Sequence, residues 1–312
     1  MTPRIALVVL VSLLALGLSL FAGPALTGPH AKFVLFELRV PRLLVGALVG
    51  AALSLSGACF QIVFNNPLAT PSTVGTLAGA TLGALLAVVF GAESELAGLP
   101  VTTLAAFIGA LVTSLSVAAI ARSGRARIED VLLAGIAVSL AASAIATGVQ
   151  YVADSQATFT ASRWALGQLP QVGYRGVTLL TPIVFVTSAV LLSQSRALAS
   201  LALGDDLAAS QGVDVPRLRL IVLGAASLAV AAAVAWCGPI AFVGLIVPHV
   251  VRLVVGPGVR ALLPLSLCAG AAFLSLCDAL ARTLVPGREL PVGVLTAALG
   301  APALVVLIAR RR

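Results

Sequence analysis

Ten apolar runs separated by short polar stretches make up most of the chain, at approximately Ile5–Ala25, Pro41–Phe64, Thr73–Phe90, Val101–Ala121, Val131–Val152, Gly176–Ser193, Leu218–Trp236, Ile240–Val255, Leu262–Leu280 and Val292–Ala309. A helix needs about 20 apolar residues to cross hydrocarbon, and fewer where neighbours bury it, so each run is read as a transmembrane helix. The first follows Arg4 but exceeds the roughly 7–15-residue apolar core of a signal peptide, and is kept as a span.

One stretch breaks the pattern. Ser195–Arg219 (SRALASLALGDDLAASQGVDVPRLR) carries Arg196, Asp205, Asp206, Asp214, Arg217 and Arg219 between two apolar runs. Gly204 and Gly212 divide it into two short helices, the second capped by Asp205 and ending near Gly212. Such a hairpin cannot lie in hydrocarbon, so it sits at the membrane surface, either as a solvated connector or as the place where a soluble partner pushes.

Composition narrows the class. With 60% hydrophobic residues, 10% charged residues and a mean hydropathy of +1.13, the chain is expected to be an all-α polytopic membrane protein of about ten helices, one domain over residues 1–312. The net charge of +8 does not point to nucleic acid, because the arginines gather at the ends of apolar runs. With both termini inside, twelve of the 19 basic residues (Arg4, Arg122, Arg125, Arg127, Arg196, Arg217, Arg219, Arg252, Arg260 and Arg310 to Arg312) fall on the cytoplasmic side. Seven (Lys32, Arg39, Arg42, Arg163, Arg175, Arg282 and Arg288) fall outside. That excess puts the hairpin in the cytoplasm. Cys59, Cys237, Cys268 and Cys277 lie in apolar runs without CxxC spacing, which indicates neither a disulfide framework nor a metal site, and no cofactor is expected.

Several positions stand out inside the spans. Arg39 and Arg42 flank a proline at a helix start and serve either to snorkel to lipid or to dock a partner. Gly46, Gly50, Ser54 and Gly57 recur near helical spacing, so a neighbouring backbone can come close. Downstream of Gln61, the Asn65-Asn66-Pro67 break can line a cavity or cap a helix. The charged loop Arg122–Asp130, with Arg125, Arg127 and Glu129, is an anchor or a gate. Asp154–Arg175 suits a helix along the outer surface. Pro248 and His249 are costly in an apolar helix unless neighbours satisfy the freed carbonyls and the imidazole. Asp278 and Arg282, four apart, can partly neutralise each other.

Some chemistry is missing. Lys32 is the single lysine and stands outside any GxxxxGK[ST] pattern, so the chain is no P-loop ATPase. Neither HExxH nor GxSxG occurs, which leaves an intramembrane hydrolase without its parts. An ion-coupled carrier remains an alternative, although it would normally keep an ionisable group near the midplane, and Asp278 lies near an edge.

Read together, RVPR (39–42), GACFQ followed by NNPLATP, LALGDDLAASQGVDV, GPIAFVGLIVPHVVR and ELPVGVLTAALGAPAL resemble, in order, the FecCD-type permeases of ABC importers for iron-siderophores, haem and cobalamin. The resemblance implies a type II importer permease in the bacterial inner membrane, with the translocation path formed by a homodimer. It also implies cytoplasmic ABC ATPase subunits and a periplasmic or lipid-anchored substrate-binding protein, with an iron-siderophore as the first expectation for cargo. On this analogy Leu203, Gly204, Asp205, Ala208, Ala209 and Gly212 couple to the ATPase, and Arg39, Arg42 and Arg282 meet acids of the binding protein. Gln61, Asn66, Pro67, Pro248 and His249 belong to the path or its helix breaks, and Arg125–Glu129 is placed at an inner gate. Gln211 and Asn65 depart from the family's commoner Leu and Arg.

Overall fold

A computed structural model describes residues 3–23, 30–91, 95–96, 99–122, 128–169, 173–285 and 287–309. The ten apolar runs become helices α1 (Pro3–Phe21), α3 (Val40–Val63), α4 (Thr76–Val89), α5 (Val101–Arg122), α6 (Ile128–Val152), α8 (Arg175–Ser193), α11 (Val215–Cys237), α12 (Val243–Val255), α13 (Val259–Thr283) and α14 (Val292–Ala309). Four short α-helices, α2 (Ala31–Phe33), α7 (Ser155–Ala165), α9 (Ser195–Leu201) and α10 (Asp205–Ser210), complete the described α-helices, and a 3-10 turn, Pro71–Val74, precedes α4. Seven of the helices are long and apolar enough to cross a membrane, and α4, α12 and α14 are shorter apolar helices. A two-stranded antiparallel ribbon, β1 (Glu95–Leu96) on β2 (Leu99–Pro100), precedes α5.

Helix α3 is the axis of the bundle. In the run that contains it, 78% of the most apolar stretch is buried, against 17% in α1, so α3 has protein on nearly every side while α1 faces outward. Glycine makes this possible. A Cβ on Gly50 would overlap the backbone of Gly270 in α13, and one on Gly57 the backbone of Gly244 in α12, so the spacing expected to admit a neighbour admits two. The last turns of α3, Leu55–Phe64, share an apolar cluster with Leu198, Leu201, Ala208, Val215 and Leu263.

The helix carrying RVPR starts earlier than expected. It begins at Ala31 and runs through a π-helical stretch, Val34–Arg39, directly into α3, so Arg39 and Arg42 are interior helix positions, not a helix start. Pro41 cannot donate to the carbonyls four and five residues back. The C-terminal end of the loop that includes residue 173 replaces it. Gly173 N donates to the Glu37 carbonyl (3.1 Å) and Tyr174 Oη to the Phe36 carbonyl (2.8 Å), so the proline sits in a helix without orphaned acceptors.

The expected surface helix is α7, whose N-cap Asp154 accepts from Ala157 N at 2.6 Å. Beyond α7, Gln168 N donates to the Cys237 carbonyl (2.7 Å) and Gly293 N to the Gly167 carbonyl (3.2 Å). These bonds tie the ends of α7, α11 and α14 together.

Candidate functional site

Three places concentrate the polar residues that the apolar pattern does not explain. The first is the surface hairpin. Helix α10 ends in a left-handed glycine, Gly212 (φ +80°), with Val213 N donating to the Ala208 carbonyl (3.0 Å) and Gly212 N to the Ala209 carbonyl (2.9 Å). This paired closure satisfies the last carbonyls of the helix. The expected cap is corrected by one residue: Gly204, at φ +121°, occupies the N-cap position, a backbone that L side chains rarely adopt, and Asp205 is the first residue of α10. The Asp205 carboxylate instead accepts from Arg219 Nη2 of α11 at 2.9 Å. Asp214 caps α11, accepting from Arg217 N at 3.0 Å. Across the hairpin Ser200 Oγ bonds to Gln211 Oε1 at 2.5 Å. Ala208 is fully buried while Leu203 is 70% exposed. The hairpin is thus held to the bundle on one side and presents Leu203, Gly204, Asp205, Ala209 and Gly212 on the other.

The second place is a buried charge cluster near the start of α3. Asp278 of α13, 2% exposed, accepts from Arg42 Nε (3.0 and 3.1 Å) and Nη2 (2.8 Å), and pairs with Arg282 Nε at 3.1 Å. Arg42 Nη1 also donates to Glu289 at 2.8 Å. Arg282 reaches the end of α1 through the Ser19 carbonyl (3.1 Å) and the Ala22 carbonyl (3.4 Å), and Arg39 through those of Phe21 (3.4 Å) and Leu20 (3.5 Å). Basic groups at a helix C-terminus answer its unsatisfied carbonyls and its dipole. Arg39 and Arg42 are buried and Arg282 is half-buried, and within this chain all three bond to Asp278, Glu289 or the end of α1. The Asp278–Arg282 pair was legible from its spacing, but Arg42, 236 residues away, was not.

Beside this cluster, where α7, α11 and α14 meet, a cavity of about 680 Å3 is lined by Arg42, Arg163, Trp164, Gln168, Trp236 and Glu289 among others.

The third place is the α3–α12 contact. Pro248 removes the N–H that would serve the Gly244 carbonyl, and Gln61 Nε2 donates to that oxygen at 3.2 Å and to the Leu245 carbonyl at 3.3 Å. Arg252 Nη2 in turn donates to Gln61 Oε1 at 3.2 Å. The neighbour that a proline in an apolar helix requires is therefore Gln61. Close by, Asn66 Oδ1 accepts from Leu68 N at 2.9 Å, closing the turn at Pro67. A second cavity, about 330 Å3, lies between Leu68, Thr70, Pro71 and Phe242, and Phe242 holds a left-handed backbone (φ +67°). His249 is half-buried and engaged. Arg125 and Arg127 lie outside the described residues, and Glu129 falls in the first turn of α6.

Gln61→Leu is expected to destabilise the protein by about 1 kcal/mol, the scale of an interhelical hydrogen bond in a membrane. Pro248→Ala restores the missing N–H, so in that background the Gln61→Leu penalty is expected to fall toward zero. Thermal melts of the four proteins check this, and equal penalties in both backgrounds would count against the latch.

The FecCD transport family model matches residues 5–310. This chain belongs to that family. The cobalamin import system permease BtuC of Halobacterium salinarum is 41% identical over 90% of this FecCD chain and 74% of its own. The hemin transport system permease HmuU of Yersinia pestis is 38% identical over 88% and 83%. A solved structure described as an inward-facing conformation of a metal-chelate type ABC transporter aligns with a TM-score of 0.88 at 30% identity, covering 98% of both chains. The FecCD protein is therefore a multi-pass permease subunit of an importer of the metal-chelate, cobalamin and haem class, with the all-α architecture of that permease.

Proposed function

We propose that two copies of this permease form the path for a metal chelate and that the Ser195–Arg219 hairpin couples it to a separate ABC ATPase. The named relatives carry cobalamin and hemin by their printed names, and iron-siderophore is proposed here as cargo beside these two. The observation that carries the coupling assignment is a hairpin clamped by Ala208, Asp205–Arg219 and Ser200–Gln211 that still exposes Leu203. A lever has to be stiff toward the part it moves and open toward the part that drives it. The importer reading gains further support from Asp278, the single carboxylate buried among the described residues. Two arginines take up its oxygens, so among the described residues no buried acid stands free for a coupling ion. The distribution of arginines favours a hairpin in the cytoplasm and both termini on that side.

The end bearing the charge cluster is then assigned to the substrate-binding protein. Three arginines less Asp278 and Glu289 leave one positive charge there, enough to orient an acidic partner while the clamps stay closed. The helix breaks at Pro67 and Pro248 border the path, and Arg125–Glu129 is proposed as its inner gate. Lipid surrounds the exposed faces of α1, α5 and α6.

The purified chain alone should hydrolyse no ATP, and ATP hydrolysis should appear when ABC ATPase subunits co-purify on it. Gly212→Trp forces a bulky residue into the left-handed turn at about 1–2 kcal/mol, too little to unfold the bundle. Hydrolysis should persist in that variant while chelate uptake drops about tenfold or more, the scale of a coupling energy of 1–3 kcal/mol. ATPase activity in the isolated chain, or full uptake by Gly212→Trp, would overturn the assignment.

A further inference from the structure

Both tryptophans of the chain, Trp164 and Trp236, line the 680 Å3 cavity together with Arg42, Arg163, Gln168 and Glu289. Small-molecule sites span roughly 300–1,000 Å3, and this cavity falls within that range. Its two arginines differ in how they are paired. Arg42 gives Nε and Nη2 to the buried Asp278, but Nη1 to Glu289, whose side chain is 44% exposed. Arg163 takes part in no ion pair among the described residues, and its guanidinium rests 6.0 Å over the Phe159 ring. An arginine without an acid, beside another whose outer acid can leave into water, makes two neighbouring carboxylate receptors.

We infer that this cavity is a subsite for a metal chelate with free carboxylates. One carboxylate pairs with Arg163, and a second takes Nη1 of Arg42 in place of Glu289, which holds that position when the subsite is empty. Gln168 supplies an amide donor, and the indoles cover the apolar part of the chelate. Asp278 stays where it is, so the exchange replaces the Arg42–Glu289 pair by an Arg42–ligand pair and leaves the buried clamp closed. A chelate lacking carboxylates would desolvate Arg163 without pairing it. The source of such a ligand rests on the importer reading, but binding to the isolated permease does not.

The test uses the full chain in phosphatidylcholine nanodiscs, with no ATPase or binding protein, titrated with ferric citrate. Because both tryptophans line the cavity, the whole tryptophan emission is the readout. Saturable quenching is expected, with iron-free citrate competing and a ferric trihydroxamate without carboxylates binding at least about tenfold more weakly, the scale of one charge-assisted hydrogen bond. Arg163→Gln should weaken ferric citrate by a similar factor, and Glu289→Gln, which removes the competing carboxylate, should tighten it. Quenching that is the same in Arg163→Gln, tight binding of the trihydroxamate, or weakening by Glu289→Gln would overturn the inference. In discs rich in phosphatidylglycerol the signal should persist, and its loss would assign the cavity to a lipid headgroup instead. A failure here leaves ATPase co-purification and uptake untouched, so the two readings fall separately.

Discussion

Asp278→Ala is expected to cost the fold about 3–5 kcal/mol, the largest effect of any single side chain here, because it leaves Arg282 without its acid and the buried Arg42 with only the outer Glu289. Arg42 and Arg282 converge on this one carboxylate, and Arg42 and Asp278 are both nearly inaccessible. Removing the acid leaves charges that cannot turn outward, since Arg282 also holds the carbonyls at the end of α1. The loss should appear as poor accumulation in the membrane and a strongly lowered melting temperature in detergent. Replacing Arg42 and Asp278 together by methionine should cost less than Asp278→Ala alone, because no buried charge is then left unpaired by Arg42. An Asp278→Ala protein that melts with the parent would show that the cluster is open to water.

Gly57→Ala should be the next most damaging change, and the reason is geometric. A Cβ at this position would stand 2.5 Å from both the carbonyl carbon and Cα of Gly244, and nearer still to its carbonyl oxygen. Backbone cannot rotate away as a side chain can, so α3 and α12 would have to separate, breaking the Gln61 bonds one turn further along. A penalty at the upper end of about 1–3 kcal/mol is expected from overpacking. Gly148→Ala in α6 is the internal control, since nothing lies within 4 Å of its Cβ position. That substitution should be neutral or stabilising by up to about 1 kcal/mol, from helix propensity alone. Equal melting temperatures for the two alanine variants would contradict the close α3–α12 approach.

These two sites also show how far the sequence could be read. The glycine series in α3 announces a close neighbour by its spacing, yet nothing in it says that Gly50 meets α13 and Gly57 meets α12. The pairing depends on how the helices are arranged around α3, which local spacing does not encode. Pro41 ordinarily marks a helix start, whereas here Gly173 and Tyr174 supply the donors that let the helix continue through RVPR. With the helix extended back to Ala31, Arg39 and Arg42 turn inward to their partners. Glu289 had no local signal at all, since its role depends on an arginine 247 residues away. The hairpin was more legible. Its charges, set between apolar runs, required a surface position, and its two glycines marked its turns, but the Asp205–Arg219 bond and the burial of Ala208 that stiffen it come from packing against α11.

By itself the sequence determined the ten apolar helices, the polar hairpin between two of them and the kinship with chelate permeases. Those features follow from hydrocarbon length, from the cost of burying unpaired polar groups and from ordered local motifs, all of which act over a few residues. Tertiary structure alone decided which charges are spent inside the protein and which remain for a ligand. Whether an arginine is a clamp or a receptor depends on the carboxylate that folding brings to it, and Asp278 comes to Arg42 from the far end of the chain while no acid reaches Arg163 among the described residues.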